Sequence, residues 1–187
     1  MSAEPPVHAP ARAERRAASL VVVHTGDGKG KTTAAMGIAM RAAGHGERVA
    51  VVQFMKSGRW KTGERAAAER LGIDWSVIGD GFTWDSADLG AAAEIAREAW
   101  AEAAIRIAEG AYDVVVLDEI TYPLTWGWVP TGDVVAAIAG RPAHVSVVLT
   151  GRDAPAELRA IADTVSETTN VKHAFDDGVA ALKGIDF

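Results

Sequence analysis

The chain has 187 residues, with 19 Lys and Arg against 25 Asp and Glu for a net charge of −6, 49% hydrophobic residues and no cysteine. That length and apolar content support one domain with a full core, and the missing thiols exclude thiolate zinc sites, iron–sulfur clusters, cysteine nucleophiles and disulfides. A reducing, cytoplasmic setting is expected, and the acidic balance speaks against nucleic-acid binding, because neutralising phosphates takes a surplus of Lys and Arg.

Residues 1–19 carry Pro5, Pro6 and Pro10 together with Arg12, Arg15 and Arg16, and no apolar stretch that could serve as a signal core. They read as an N-terminal arm ahead of a single domain over 20–187. No apolar run reaches the roughly 18 to 20 residues that a bilayer span requires, so no membrane partner is expected. From Leu20 onward, short β-branched runs alternate with Ala-rich stretches, the pattern of βα units in a mostly parallel sheet. The first run, Leu20–His24, precedes a helix over Lys31–Ala43 that Gly44 is expected to close. Arg48–Phe54 is the second run, followed by a helix over Glu64–Leu71 closed by Gly72. Trp75–Ile78 is the third.

The longest helical stretch, Ala87–Glu109, places Leu89, Ala92, Ala96, Ala99, Trp100, Ala103 and Ile107 at spacings of three and four, and Gly110 stops it. Asp113–Asp118 and Val145–Thr150 are nearly continuous apolar runs, as expected for central strands covered on both faces. A helix over Asp133–Ala139 lies between them. Another, over Pro155–Ala162, carries Asp153 as its expected N-cap, and Thr164–Thr168 closes the series of strands.

Directly after the first strand stand Thr25, Gly26, Asp27, Gly28, Lys29, Gly30, Lys31, Thr32 and Thr33, and a helix follows at once. This strand, loop and helix context is that of a P-loop: the glycines let backbone N–H groups fold around an anion, and the helix N-terminus adds its partial positive charge. Lys31 can reach phosphate oxygens, and the Thr32 hydroxyl is placed to ligate Mg²⁺. The usual first glycine is Thr25 here, so Gly26 and Gly28 must supply the flexibility. A turn that merely links strand to helix would not need Gly-Lys-Thr at the helix start.

Such a protein carries a second acidic group at the end of a buried strand. Val114 to Leu117 deliver Asp118 and Glu119 to that position, and strand alternation allows only one of them to face the metal directly. Arg152, just past a core strand at Gly151, is placed to meet a nucleotide. The residues so far specify ATP or GTP with magnesium and leave the reaction open. Phe82 and Trp84, in a glycine-rich loop, read by themselves as core plugs. A second cluster, Tyr122 to Pro130 with Trp126 and Trp128, reads as a surface for a large flat partner.

At this point the chain closely resembles the P-loop-type corrinoid adenosyltransferases. The resemblance runs from about Val23 to Phe187. It is carried by Thr25 to Ala35, Arg41 to Gly46, Val51 to Phe54 with Lys56, Gly63 to Arg65, Gly81 to Asp85, Leu117 to Glu119 with Thr121 and Tyr122, Thr150 to Arg152, Ala162 to Glu167, Val171 to Phe175, and Gly184 to Phe187. It implies a P-loop nucleoside triphosphate hydrolase-like three-layer α/β/α fold. It also implies that the Co(I) of a corrinoid attacks the 5′ carbon of ATP, held reversed relative to a kinase, and that triphosphate leaves.

Under that resemblance Mg²⁺ sits on Thr32 and Glu119, with Asp118 the alternative. Phe82 and Trp84 displace the lower axial ligand of cobalt, and Trp126 neighbours the corrinoid. An electron-donating flavoprotein and a homodimer are implied partners, and residues 1–19 either cover the corrinoid site or form a solvated tether. A small-molecule kinase would share the loop but needs an Arg-rich lid, for which only Gly58 to Gly63 is a candidate. A RecA-like motor is disfavoured by the charge of −6.

Overall fold

In the computed structural model, which describes residues 17–55, 62–77 and 89–186, the apolar runs become six parallel strands in the order β3-β2-β4-β5-β1-β6. They are β1 Val21–Thr25, β2 Val49–Gln53, β3 Asp74–Val77, β4 Val114–Asp118, β5 Ser146–Thr150 and β6 Thr164–Glu167. The connections are helical: α1 Lys31–Gly44, α2 Gly63–Arg70, α3 Leu89–Glu109, α4 Thr121–Thr125, α5 Thr131–Ala139 and α6 Ala156–Ile161. Every pairing is parallel, as βα crossovers require. Among the described residues, no helix is long and apolar enough to cross a membrane.

Strand alternation sorts the core into two layers. Val115 and Leu117 of β4 and Val147 and Leu149 of β5 pack with Ala99, Ala103 and Ile107 of α3, Val134 and Ile138 of α5, and Leu158 of α6. Val114, Val116 and Val148 point the other way, onto Ala35, Ala39 and Ala42 of α1 and Ala68 of α2. The result is a three-layer α/β/α arrangement. The small residues of α1 let that helix lie close to the sheet, and each fully buried Val or Leu contributes about 1.5 to 3 kcal/mol.

The same alternation decides what stands at the carboxyl edge. On the α1 face, the apolar rows of Val22, Val51, Val116 and Val148 end in His24, Gln53, Asp118 and Thr150. The register places Gln53 beside Asp118 and His24 beside Thr150. Polar side chains from four strands therefore meet where α1 begins.

Two expected helix ends are corrected. Gly44 does not close α1 but is its last helical residue; the chain reverses at Gly46, whose φ of 81° suits a residue without a side chain. Asp153 does not cap α6: Pro155 is the N-cap, with no side-chain capping bond, and Asp153 lies in a left-handed turn at φ 51°. That turn carries the Ala154 N–H to Thr25 Oγ1 at 3.1 Å. The short α4 was not expected, because five residues interrupted by Pro123 offer no helical period.

His24 titrates in a setting that disfavours its charge: its Nε2 is buried without a hydrogen-bond partner among the described residues, and burial holds its pKa below the ordinary 6.5. The unfolded chain therefore takes up a proton at a higher pH than the folded one, so the neutral ring's stabilising effect is complete above 6.5 and is lost as pH falls through that value toward the folded pKa. Urea unfolding midpoints measured at about pH 7.5 and about pH 5.5 should drop more in the wild type than in His24→Leu, and equal drops would contradict this role.

Candidate functional site

The loop after β1 is shaped by two demands at once. Gly26 adopts φ 95° and Gly30 φ 112°, conformations that side chains resist. A Cβ on Gly26 would come within 2.5 Å of the Thr168 carbonyl, and one on Gly28 within 2.7 Å of the Thr169 carbonyl. The segment after β6 therefore runs directly against the loop, fixed by Gly28 N–H to Thr168 O at 2.7 Å and Thr168 N–H to Thr25 O at 2.8 Å. Thr25 needs no positive φ. It is the last residue of β1, buried, and its hydroxyl accepts from Ala154, which explains how Thr stands where a P-loop commonly has Gly.

Around the loop the charged groups interlock. Lys31 Nζ donates to the Gly28 carbonyl at 2.6 Å, and burial, together with the Arg152 charge, lowers its pKa; Asp27 and Glu119 oppose the shift. Lys29 is ion-paired with Asp186. Asp27, an awkward neighbour for phosphates, lies 3.9 Å from the Arg152 guanidinium, which offsets its charge.

Beneath the loop, Asp118 is completely buried at the end of β4. Its Oδ1 accepts from Thr32 Oγ1 and Thr150 Oγ1, both at 2.8 Å, and its Oδ2 accepts from Gln53 Nε2 at 2.8 Å. The next residue, Glu119, has φ 64°, which for a non-glycine residue costs on the order of 1 to 3 kcal/mol. Gly151, at φ 140°, has no room for a Cβ, which would sit 1.9 Å from Thr121 Oγ1. Only glycine therefore fits at the position that precedes Arg152.

These elements enclose a cavity of about 420 Å³, within the range of roughly 300 to 1,000 Å³ of small-molecule sites. Asp27 through Thr33, Glu119 and Arg152, singled out from the sequence, are among the residues that line it. Thr25 and Gly26 shape the loop from behind and do not line the cavity. Asp118 is likewise beneath it, so of the two acids after Leu117 it is Glu119 that lines the wall.

Trp126 is not among the lining residues; its ring lies 4.6 Å from that of Trp128 and 5.6 Å from that of Tyr122, and it is Tyr122 that reaches the cavity. Burial, helped by the Glu119 charge, raises the Tyr122 pKa. Phe82 and Trp84 lie outside the described residues, as do 1–16 of the N-terminal arm.

Sequence reasoning assigned no role to Gln53, Thr150 or the closing segment, which contributes Asn170, His173, Phe175 and Asp186 to the cavity. The signal for the first two was a polar residue ending an otherwise apolar strand. Among the described residues, no cluster of three or more His, Asp or Glu forms a metal site by itself. Thr32 and Glu119 present oxygen donors to the cavity, and Asp118 stands behind Thr32 as its hydrogen-bond acceptor.

Comparison with known proteins shows what the whole chain is similar to. The family model for ATP:corrinoid adenosyltransferase BtuR/CobO/CobP matches residues 17–187. A corrinoid adenosyltransferase of Escherichia coli K12 is 46% identical over 168 residues, covering 90% of this chain and 85% of that protein. Corrinoid adenosyltransferase CobA of Salmonella typhimurium LT2 is 45% identical with the same coverage. A Pseudomonas aeruginosa corrinoid adenosyltransferase is 43% identical over 181 residues, 96% of this chain and 87% of its own length.

The glycine geometry makes a graded prediction. Gly26→Ala forces a side chain into both a backbone carbonyl and a positive φ, and should cost about 1 to 3 kcal/mol of stability and weaken nucleotide binding. Gly132→Ala, in open space on α5, should be neutral or slightly stabilising. Urea denaturation and nucleotide titration of the two variants check the contrast, which vanishes if the loop is not held against the segment after β6.

Proposed function

The chain belongs to the ATP:corrinoid adenosyltransferase family, and from that premise we propose how its residues divide the transfer of the 5′-deoxyadenosyl group of ATP to the Co(I) of a corrinoid. The loop from Gly26 to Thr33, with Arg152, holds the triphosphate, reversed relative to a kinase. What carries this reading is the convergence of Lys31, Thr32, Glu119 and Arg152 on one cavity at the N-terminus of α1.

In this reading cobalt attacks the 5′ carbon, the carbon–oxygen bond breaks, and its electron pair leaves on the triphosphate. The nucleophile arrives with the substrate, so the chain's task is to orient ATP and to stabilise charge on the leaving group. Lys29, Lys31 and the α1 N-terminus do so as preorganised positive groups.

Magnesium fits the donors. Thr32 spends its only hydrogen on Asp118 Oδ1, which leaves its lone pairs for a cation, and Glu119 adds a carboxylate at the wall; small hard cations prefer such oxygens. When bound, the ion supplies further charge neutralisation to the triphosphate.

Phe82 and Trp84 are proposed to wedge beneath the corrin face, displacing the axial ligand whose electron density makes Co(II) hard to reduce. Trp126, tilted against Tyr122 with ring centroids 5.6 Å apart, is proposed to neighbour the corrinoid. The chain has no cysteine to provide a thiol couple, and a flavoprotein is proposed as the electron donor. A homodimer is supported by the exposed Val171, Phe175, Val179 and Leu182 of the closing segment, a surface that association would cover. The proposed location is the cytoplasm, with residues 1–19 as an arm to the single domain over 20–187.

The test is incubation with ATP, Mg²⁺ and a chemically reduced corrinoid. Adenosylated corrinoid and intact triphosphate are expected in equal amounts, and ADP as the main product would overturn the reading in favour of a kinase. Lys31→Ala should lower kcat/KM by about 100-fold or more. Phe82→Ala and Trp84→Ala should keep ATP affinity but lower the yield of four-coordinate Co(II), seen by electron paramagnetic resonance; an unchanged Co(II) spectrum would remove the wedge role.

A further inference from the structure

Glu119 is the first residue beyond β4. Had the strand continued, alternation would have sent its side chain to the face of Val115 and Leu117, away from the phosphate loop and into the layer formed by α3 and α5. A left-handed backbone at φ 64° turns it instead to the cavity wall. A carboxylate-bearing residue does not hold such a conformation without support from its surroundings.

The support is visible. The Glu119 N–H donates to Thr150 Oγ1 at 2.9 Å, and the same hydroxyl donates its hydrogen to Asp118 Oδ1 at 2.8 Å. Thr150 is completely buried at the end of β5, the strand paired with β4. A hydroxyl has one hydrogen and two lone pairs, so it can accept from one neighbour while donating to the next. Asp118 fixes the direction of that hydrogen, because Gln53 and Thr32 hold its carboxylate in place. The oxygen's accepting side is thereby aimed at the Glu119 amide.

We propose that Thr150 is a positioning residue for the adenosyl transfer: its hydroxyl, shared between Asp118 Oδ1 and the Glu119 N–H, holds Glu119 in the left-handed turn that presents its carboxylate to the phosphate cavity. The inference rests on the reading of Glu119 as part of the ATP and magnesium site. The β5 strand thus reports to the acidic pair without touching the nucleotide. Valine at 150 keeps the shape and removes both bonds, whereas serine keeps the bonds.

The experiment compares wild type, Thr150→Ser, Thr150→Val, Glu119→Ala and the Glu119→Ala/Thr150→Val double variant, each checked for folding by thermal melting. Two readouts are taken: the Glu119 amide by NMR, through its φ-sensitive coupling and hydrogen exchange, and ATP affinity by calorimetry with EDTA or with Mg²⁺. Thr150→Val should lose the positive-φ coupling at Glu119, exchange that amide faster, and lose most of the gain in ATP affinity that Mg²⁺ brings, with little change in EDTA. Thr150→Ser should resemble wild type, and the double variant should be no weaker than Glu119→Ala.

A folded Thr150→Val protein with an unchanged Glu119 amide, or with a wild-type gain from Mg²⁺, overturns the proposal, as does full additivity in the double variant. Should Thr150→Val melt far below wild type, Thr150→Ser decides, and a perturbed Glu119 amide there overturns the proposal too. A wild type whose ATP affinity ignores Mg²⁺ counts against the magnesium reading instead. The Glu119 amide then decides the positioning claim alone.

Discussion

A carboxylate with no solvent exposure stands at the carboxyl end of an interior strand of this sheet, and much of the site depends on satisfying it. Burying Asp118 among valines is expensive unless its oxygens are matched by donors, and three donors from three different elements converge on it: Gln53 from β2, Thr150 from β5 and Thr32 from α1. The strand order is what makes this possible, because β4 lies between β2 and β5. Each bond also constrains its donor. The first turn of α1 is tied to the sheet through Thr32, and the end of β5 is tied to the turn after β4 through Thr150. Removing Asp118 would leave the buried Gln53 and Thr150 and the half-buried Thr32 without this acceptor, so its carboxylate holds the edge together.

A second constraint comes from the far end of the chain. β6 is a fully exposed edge strand, yet the segment beyond it presses against the glycines of the phosphate loop and adds the Lys29 to Asp186 ion pair. Little apolar burial holds this segment: Val171, Phe175, Leu182 and Ile185 remain largely in solvent. It is retained by backbone hydrogen bonds and charge, which places it among the less stable parts of the fold. Gly26 and Gly28 therefore answer to two requirements, the bending of an anion-binding loop and the close passage of another backbone, and the second alone would forbid side chains there.

The sequence disclosed whatever depends on local period or on spelling. Continuous valine runs marked β4 and β5, and spacings of three and four marked α3. The order glycine, lysine, threonine at a helix start located the loop, and most of the cavity wall came with it. Features that depend on backbone angles stayed hidden. Whether Asp118 or Glu119 faces the cavity is settled by one positive φ at Glu119, and no alternation rule anticipates it. The reversal at Gly46 instead of Gly44, and the cap at Pro155 instead of Asp153, are differences of two residues that propensity does not resolve. Asn170, His173 and Asp186 meet the loop across more than a hundred residues of chain, a proximity created by β6 pairing with β1.

The charge balance that first argued against nucleic acid can be placed locally. A chain of net charge −6 still gathers Lys29, Lys31 and Arg152 around one cavity, and sets Asp27, Glu119 and Asp186 among them. Without nucleotide, those acids keep three cations from repelling one another in a confined space: Asp186 engages Lys29 and Asp27 lies beside Arg152. On the proposed reading, a polyphosphate entering the cavity meets cations that are already oriented, and must displace carboxylates rather than order free side chains. The cost is competition with Asp186 and Asp27. The gain is preorganisation, which counts most where charge develops on a leaving group and no protein nucleophile shares the work.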